Sequence, residues 1–157
     1  MEDKHSRKQD ALESILCISK TISSKLNIDD LLQLIVDEVV GLLGTSSCSI
    51  LLPNENTGEM IFHAAVDPIV GMRVPLGKGI VSTVFMNGIP KIVNDLSSNK
   101  EYFSDIEISL GKPIHALLAV PLIVENRVIG VIEAVHDRKE VFTTSDQNLL
   151  VTLAGYA

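Results

Sequence analysis

The apolar positions of this chain change period along its length. From about Gln9 to Leu26, the positions Leu12, Ile15, Ser19, Ile22 and Leu26 alternate three and four residues apart, the narrow seam of a coiled-coil helix. The same spacing also suits a helix docked on its own domain. After N-I-D-D, where Asn27 or Asp29 can cap, Leu31, Ile35, Val39 and Leu42 predict one face of a second helix that stops near Gly44. The period then drops to two. S-C-S-I-L-L-P and E-M-I-F-H-A-A-V predict a β-hairpin around N-E-N-T-G, whose residues tolerate positive φ. Next, V-P-L-G-K-G-I-V-S-T-V-F-M-N-G-I-P-K-I-V-N-D predicts a glycine-flanked lysine, about two turns of helix, an N-G break and a short strand from Lys91 to Asn94. A polar segment follows from Leu96 to His115. A connection of that length is functional or disordered, or else holds a short helix near Glu101 to Leu110.

The stretch L-L-A-V-P-L-I-V-E-N-R-V-I-G-V-I-E-A-V-H, Leu117 to His136, predicts a second hairpin turning at Glu125 and Asn126. Both strands are apolar on both faces, so they are expected at the centre of a sheet covered on each side. Alternation puts Val131, Glu133 and Val135 on one face and Ile132, Ala134 and His136 on the other. A carboxylate among valines and isoleucines needs a partner, because an unpaired buried charge is costly. It is therefore either a ligand acceptor or a structural group paired with a backbone N–H or a lysine. T-T-S-D-Q then reads as a capping box, with Thr144 as N-cap and Gln147 three residues on, ahead of Leu149, Leu150, Leu153 and Ala154 in a last helix. That helix lacks a stop signal before Ala157, and the chain is expected to be a module cut from a longer protein.

Composition narrows the function classes. With 157 residues and 46% hydrophobic content, one domain with one sizeable core is the expectation. Aromatics make up only 4%, Trp is absent and the net charge is −7, so neither a stacking platform nor an electrostatic footprint for nucleic acid is present. The same charge argues against contact with an anionic membrane. The longest apolar run, Ala116 to Val124, is far short of the roughly 20 residues a membrane span needs, and the polar N-terminus is no signal peptide. Cys17 and Cys48 are isolated thiols without metal or disulfide spacing, which fits a reducing cytoplasm. G-K-G lacks the spacing of a phosphate-binding P-loop.

The order of elements, and four pieces of sequence within it, resembles a GAF domain of the bacterial signalling type. The pieces are the strands from Ser47 to Val66; P-L-G-K-G-I-V with N-G-I-P-K-I-V-N-D; L-L-A-V-P-L-I-V-E-N-R-V-I-G-V-I-E; and F-T-T-S-D-Q-N-L-L-V-T-L-A. The resemblance implies an α+β, GAF/PAS-like fold, with a central antiparallel sheet of five to six strands. Helices would pack on one face, and a ligand cavity on the other would be roofed by the short helix and the long loop. It divides the chain into residues 1–27, a linker or dimerisation helix, and residues 28–157, the GAF domain. Pocket candidates on this reading are Ile80, Val84, Asn94, Asp95, Val131 and Glu133.

Departures from the family's subtypes matter as much. His136 and Asp137 stand where cyclic-nucleotide binders carry N-K; Phe142 and Asp146 of the following F-x-x-x-D-E are kept, but Gln147 replaces the Glu. The imitation N-K-E-Y-F-S-D-I-E at Asn99 to Glu107 lies in the long loop. No cysteine sits there to attach a bilin, His115 is the one candidate haem ligand nearby, and the paired cysteines of methionine sulfoxide-reducing GAF domains are missing. The protein is therefore expected to be colourless. A hydrolase built on His115 and Asp95 lacks a recognisable nucleophile. The expected function is a non-catalytic, cytoplasmic regulatory module that senses an unidentified small molecule, forms a homodimer and controls a downstream effector domain. The alternatives are a ligand-free dimerisation module and, behind it, a cyclic-nucleotide- or haem-binding GAF domain. The cofactor is unknown at this point, and no nucleic acid or direct membrane contact is implied.

Overall fold

The computed structural model describes residues 28–66, 68–75, 77, 79–98, 114–139 and 141–155. The predicted seam from Gln9 to Leu26 and the loop residues 99–113 lie outside them.

Helix α1 spans Ile28–Leu43, with Asp29 and Asp30 in its first turn, where negative charge complements the helix dipole. It ends at Gly44, whose φ of 65° is the left-handed conformation that glycine adopts without a Cβ penalty. Its buried face is Leu32, Ile35, Val36 and Val39. The predicted face is thereby corrected: Ile35 and Val39 hold, whereas Leu31 and Leu42 flank the stripe and are only half-buried. With ten apolar side chains in the helix, spacing alone admits several faces, and docking on the sheet selects one.

Strands β1 (Ser47–Pro53) and β2 (Glu59–Ala65) form the predicted hairpin. At its turn the Asn54 side chain accepts hydrogen bonds from the Asn56 and Thr57 N–H groups at 2.9 and 3.3 Å. A third strand, β3 (Arg73–Pro75), adds to β2. At three residues it is too short to show a period in the sequence. Helix α2 (Gly79–Asn87) leads to β4 (Lys91–Val93), and a single 3-10 turn follows at Leu96–Ser98. The second hairpin is β5 (Ala116–Val124) and β6 (Arg127–His136), reversed through Glu125 and Asn126 at φ 50° and 64°, the paired left-handed residues of a tight hairpin turn.

The last helix, α3 (Thr144–Ala154), starts one residue earlier than predicted. Its N-cap is Thr143, not Thr144. The Thr143 hydroxyl accepts from the Asp146 N–H at 3.2 Å while the Asp146 carboxylate accepts from the Thr143 N–H at 2.9 Å. The box is closed by an aspartate at the third position, and Gln147 is not part of it.

All six strands join one antiparallel sheet in the order β3-β2-β1-β6-β5-β4, with three-residue strands at both edges. Each face carries its own apolar cluster. One joins α1 and α3 to Cys48, Ile50, Leu118, Ile132 and Ala134. The other joins α2 to Leu51, Phe62, Leu117, Val131 and Val135. The fold is thus the expected α+β arrangement, with two long helices on one face and the short helix on the other. No helix of the described residues is long and apolar enough to cross a membrane.

Candidate functional site

The α2-covered face follows from the strand registers. In β6, Val131 and Val135 belong to the α2 cluster and Ile132 and Ala134 to the α1/α3 cluster, so Glu133 faces α2. Opposite it stand Ser49 in β1 and Ala119 in β5. Ser49 is in turn opposite Ala65, and Ala119 opposite Lys91. Directly paired residues share a face with Cβ atoms about 5 Å apart. The five form a row across the sheet: Ala65, Ser49, Glu133, Ala119, Lys91. On one side runs a row of Phe62, Leu51, Val131 and Pro121, and on the other Ser47, Val135, Leu117 and Val93. A band of small and polar side chains is therefore held between two rows that are bulky and apolar except for Ser47.

Glu133 is only 7% exposed, and among the described residues its carboxylate has no hydrogen-bond partner and no ion pair. Burial pushes its carboxyl up from 4.5 to about 7. The hydroxyls of Ser47 and Ser49 are also buried on this face, and neither is hydrogen-bonded among the described residues. Buried polar side chains normally have partners, so this patch, with three that have none among the described residues, is the candidate site.

Three other predicted pocket residues, Ile80, Val84 and Val131, are brought together in the α2 cluster beside this row. The remaining two are engaged elsewhere. The Asn94 amide donates to the Phe142 carbonyl at 2.9 Å and accepts the Phe142 N–H at 3.0 Å. Asp95 accepts from the Ser97 hydroxyl at 2.6 Å and lies 3.6 Å from the Lys139 ammonium; the Ser97 hydrogen bond is the main cause that holds its carboxyl below the usual range. The glycine-flanked turn before α2 is occupied too, since the Gly77 N–H donates to the Ser82 hydroxyl at 3.1 Å. Ser47, Ser49, Ala119 and Lys91 escaped the sequence reading because they meet Glu133 only through strand order. The period-two serines in S-C-S-I-L-L were the available signal.

Two further groups bear on chemistry. Ser46, His136 and Asp137 cluster at the end of β6, with the Ser46 hydroxyl 3.4 Å and the Asp137 carboxylate 2.9 Å from His136 Nδ1. Hydroxyl and carboxylate meet the same ring nitrogen, so the imidazole cannot relay a proton between them as a catalytic triad requires. Cys48 lies on the opposite face of the sheet from Glu133 and is buried; burial first, then the Glu133 and Asp37 charges, pushes its thiol up, which suppresses the reactive thiolate. No group of three metal-ligating side chains occurs among the described residues.

Comparison with known proteins places this arrangement. The family profile described as GAF domain matches residues 25–157. The GAF domain of a phosphoenolpyruvate-protein phosphotransferase from Coxiella burnetii is similar in structure with a TM-score of 0.82 at 22% identity, over 94% of this chain and 90% of that one. The A. aeolicus nlh2 GAF domain in an inactive state gives 0.76 at 19%, over 96% and 94%. A free methionine-R-sulfoxide reductase from Neisseria meningitidis, in complex with its substrate, gives 0.79 at 18%, over 93% and 84%. At these identities the structures attest the fold alone. No curated protein matches the sequence.

Proposed function

Since the chain belongs to the GAF domain family, we propose that it is a non-catalytic regulatory module that senses a small molecule on the α2-covered face of its sheet. The observation that carries this reading is the Glu133 carboxylate, buried at the middle of the sheet between Ser49 and Ala119 without a partner among the described residues. Ile80, Val84 and Val131 supply the apolar wall that small-molecule sites usually have. Asn94 and Asp95, engaged with Phe142, Ser97 and Lys139, are left out of the ligand's contacts in this proposal.

Regulation rather than turnover is supported by the position of Cys48, which faces α1 and α3 and not the Glu133 row. The proposed output is a homodimer that assembles through residues 9–26 and passes ligand occupancy to an effector domain in a longer protein. A ligand shifts such an equilibrium only by its differential affinity for the two states.

Native mass spectrometry of the purified chain tests the sensing role. A co-purified small molecule that is retained by the wild type and lost in Glu133→Gln is the expected result. A bare mass, together with carboxyl NMR showing Glu133 hydrogen-bonded within the protein, would return the chain to a ligand-free dimerisation module. Light scattering tests the dimer: a chain beginning at Asn27 should shift toward monomer, and an unchanged dimer would place the interface elsewhere.

A further inference from the structure

We propose that the Glu133 row takes the ammonium head of a small organic amine, with the amine's apolar body directed along Ile80 and Val84. The inference rests on the sensing role above and names the ligand's chemistry.

The argument is a count of donors and acceptors. An ionised carboxylate is acceptor-only, with about four lone-pair sites, and each serine hydroxyl adds two acceptor sites against one donor. Glu133, Ser47 and Ser49 therefore bring a large excess of acceptors to one buried patch. Among the described residues, the main chain beside the row belongs to β1, β6 and β5, interior strands whose N–H groups are directed into the ladders on both sides. A ligand that satisfies the patch must bring N–H groups, and a primary ammonium brings three with a positive charge. A carboxylate or phosphate would bring acceptors only, beside a group of the same sign.

The dimensions of the row agree. Ala119 and Ala65 leave the least side-chain height on this face, and apart from Ser47 the rows on either side are bulky and apolar. A head group can sit low over Glu133 while a few carbons lie against the flanking valines and α2. Helix α2 contributes no titratable side chain. Among the described residues, the ionisable groups around Glu133 are Cys48, behind the sheet and held protonated by burial, and Lys91, at the end of the row two strand spacings or about 10 Å away. Because burial holds Glu133 near half-protonation at neutral pH, capture of a cation must expel its proton. An amine should therefore bind more tightly as pH rises through 7, whereas an anion, which would share that proton, should bind more tightly as pH falls.

Amide NMR of the full chain at pH 6 and pH 8, titrated separately with n-butylammonium chloride, 1-butanol and sodium butyrate, decides the matter. The expected result is that n-butylammonium shifts the amides of Ser49, Ala119 and Glu133, with a dissociation constant about tenfold lower at pH 8, the change in the ionised fraction of a group titrating near 7. In Glu133→Gln the pH dependence should vanish and amine affinity at pH 8 should fall at least about tenfold, with 1-butanol unaffected as the control for folding. Butyrate favoured at pH 6, butanol equal to the amine, or an amine affinity independent of pH would overturn the ammonium assignment and leave a pocket of different chemistry. Failure of all three probes to move these amides at either pH would sink the sensing role as well.

Discussion

Asn94 and Phe142 are clasped by a reciprocal pair of hydrogen bonds, amide to carbonyl at 2.9 Å and N–H to amide oxygen at 3.0 Å, across 48 residues of sequence. The clasp ties the end of β4 to the segment that launches α3. Asn94→Ala removes both bonds and leaves the Phe142 backbone groups without their partner. We expect a loss of about 1–3 kcal/mol in urea-unfolding free energy; a variant within 0.5 kcal/mol of wild type would show that water replaces the amide at no cost.

Glu133 should leave a signature in the pH dependence of stability. Its carboxyl is raised from 4.5 to about 7 in the folded state, so between these values the folded chain holds a proton that the unfolded chain has lost. The sign follows: its contribution is fully present below about pH 4.5, declines as pH rises and is gone above about 7. Relative to Glu133→Gln, which cannot titrate, the wild type should lose ~2–3 kcal/mol between pH 5 and pH 8. Parallel stability curves for the two proteins would mean that Glu133 is solvated or paired in solution.

Two glycine-to-alanine changes should act with opposite sign. At Gly130 a Cβ would stand 2.6 Å from the Leu51 carbonyl oxygen and 2.5 Å from Leu52 Cδ2, an approach the β1–β6 pair cannot relax without shifting backbone. Gly130→Ala should cost about 1–3 kcal/mol. Gly41, exposed within α1, has nothing within 4 Å of its added Cβ. Gly41→Ala should stabilise by about 0.5–1 kcal/mol through helix propensity. Thermal melts of both variants under one condition give the comparison, and shifts of the same sign would contradict it.

The cap of α3 can be read out in the same way. Thr143→Ala should cost about 1 kcal/mol because it opens the box with Asp146, while Thr144→Ala, inside the first turn, should be nearly neutral. The reverse ranking would restore Thr144 as the cap.

What was legible in the sequence follows from the range of the interactions involved. Period-two alternation over Val131, Glu133 and Val135 was enough to assign faces, and the Gly79 helix start delivered Ile80 and Val84 to the same side. The choice between Thr143 and Thr144 was not legible. Both carry the hydroxyl, and the difference is the extended backbone of Thr143, at φ −117° and ψ 167°. Asn94 and Asp95 looked like pocket groups because short polar side chains at a strand end can face a cavity. Which backbone or cation they reach depends on where Phe142 and Lys139 arrive in space. The Ser49–Glu133–Ala119–Lys91 row depends on β6 lying between β1 and β5, and no local pattern encodes that order.

The separation of the two apolar clusters by the sheet bears on how errors in this domain combine. Val36 and Leu150 sit in one cluster and Val84 in the other, each fully buried. Truncations on the same side compete for the same collapsing space, so their costs should not sum. Truncations on opposite sides meet only through a wall of paired strands, and their costs should sum to within a few tenths of a kcal/mol. Sequence drift under α2 can therefore remodel that side of the sheet while the α1/α3 side keeps its own stability reserve, and the two halves can evolve on separate clocks.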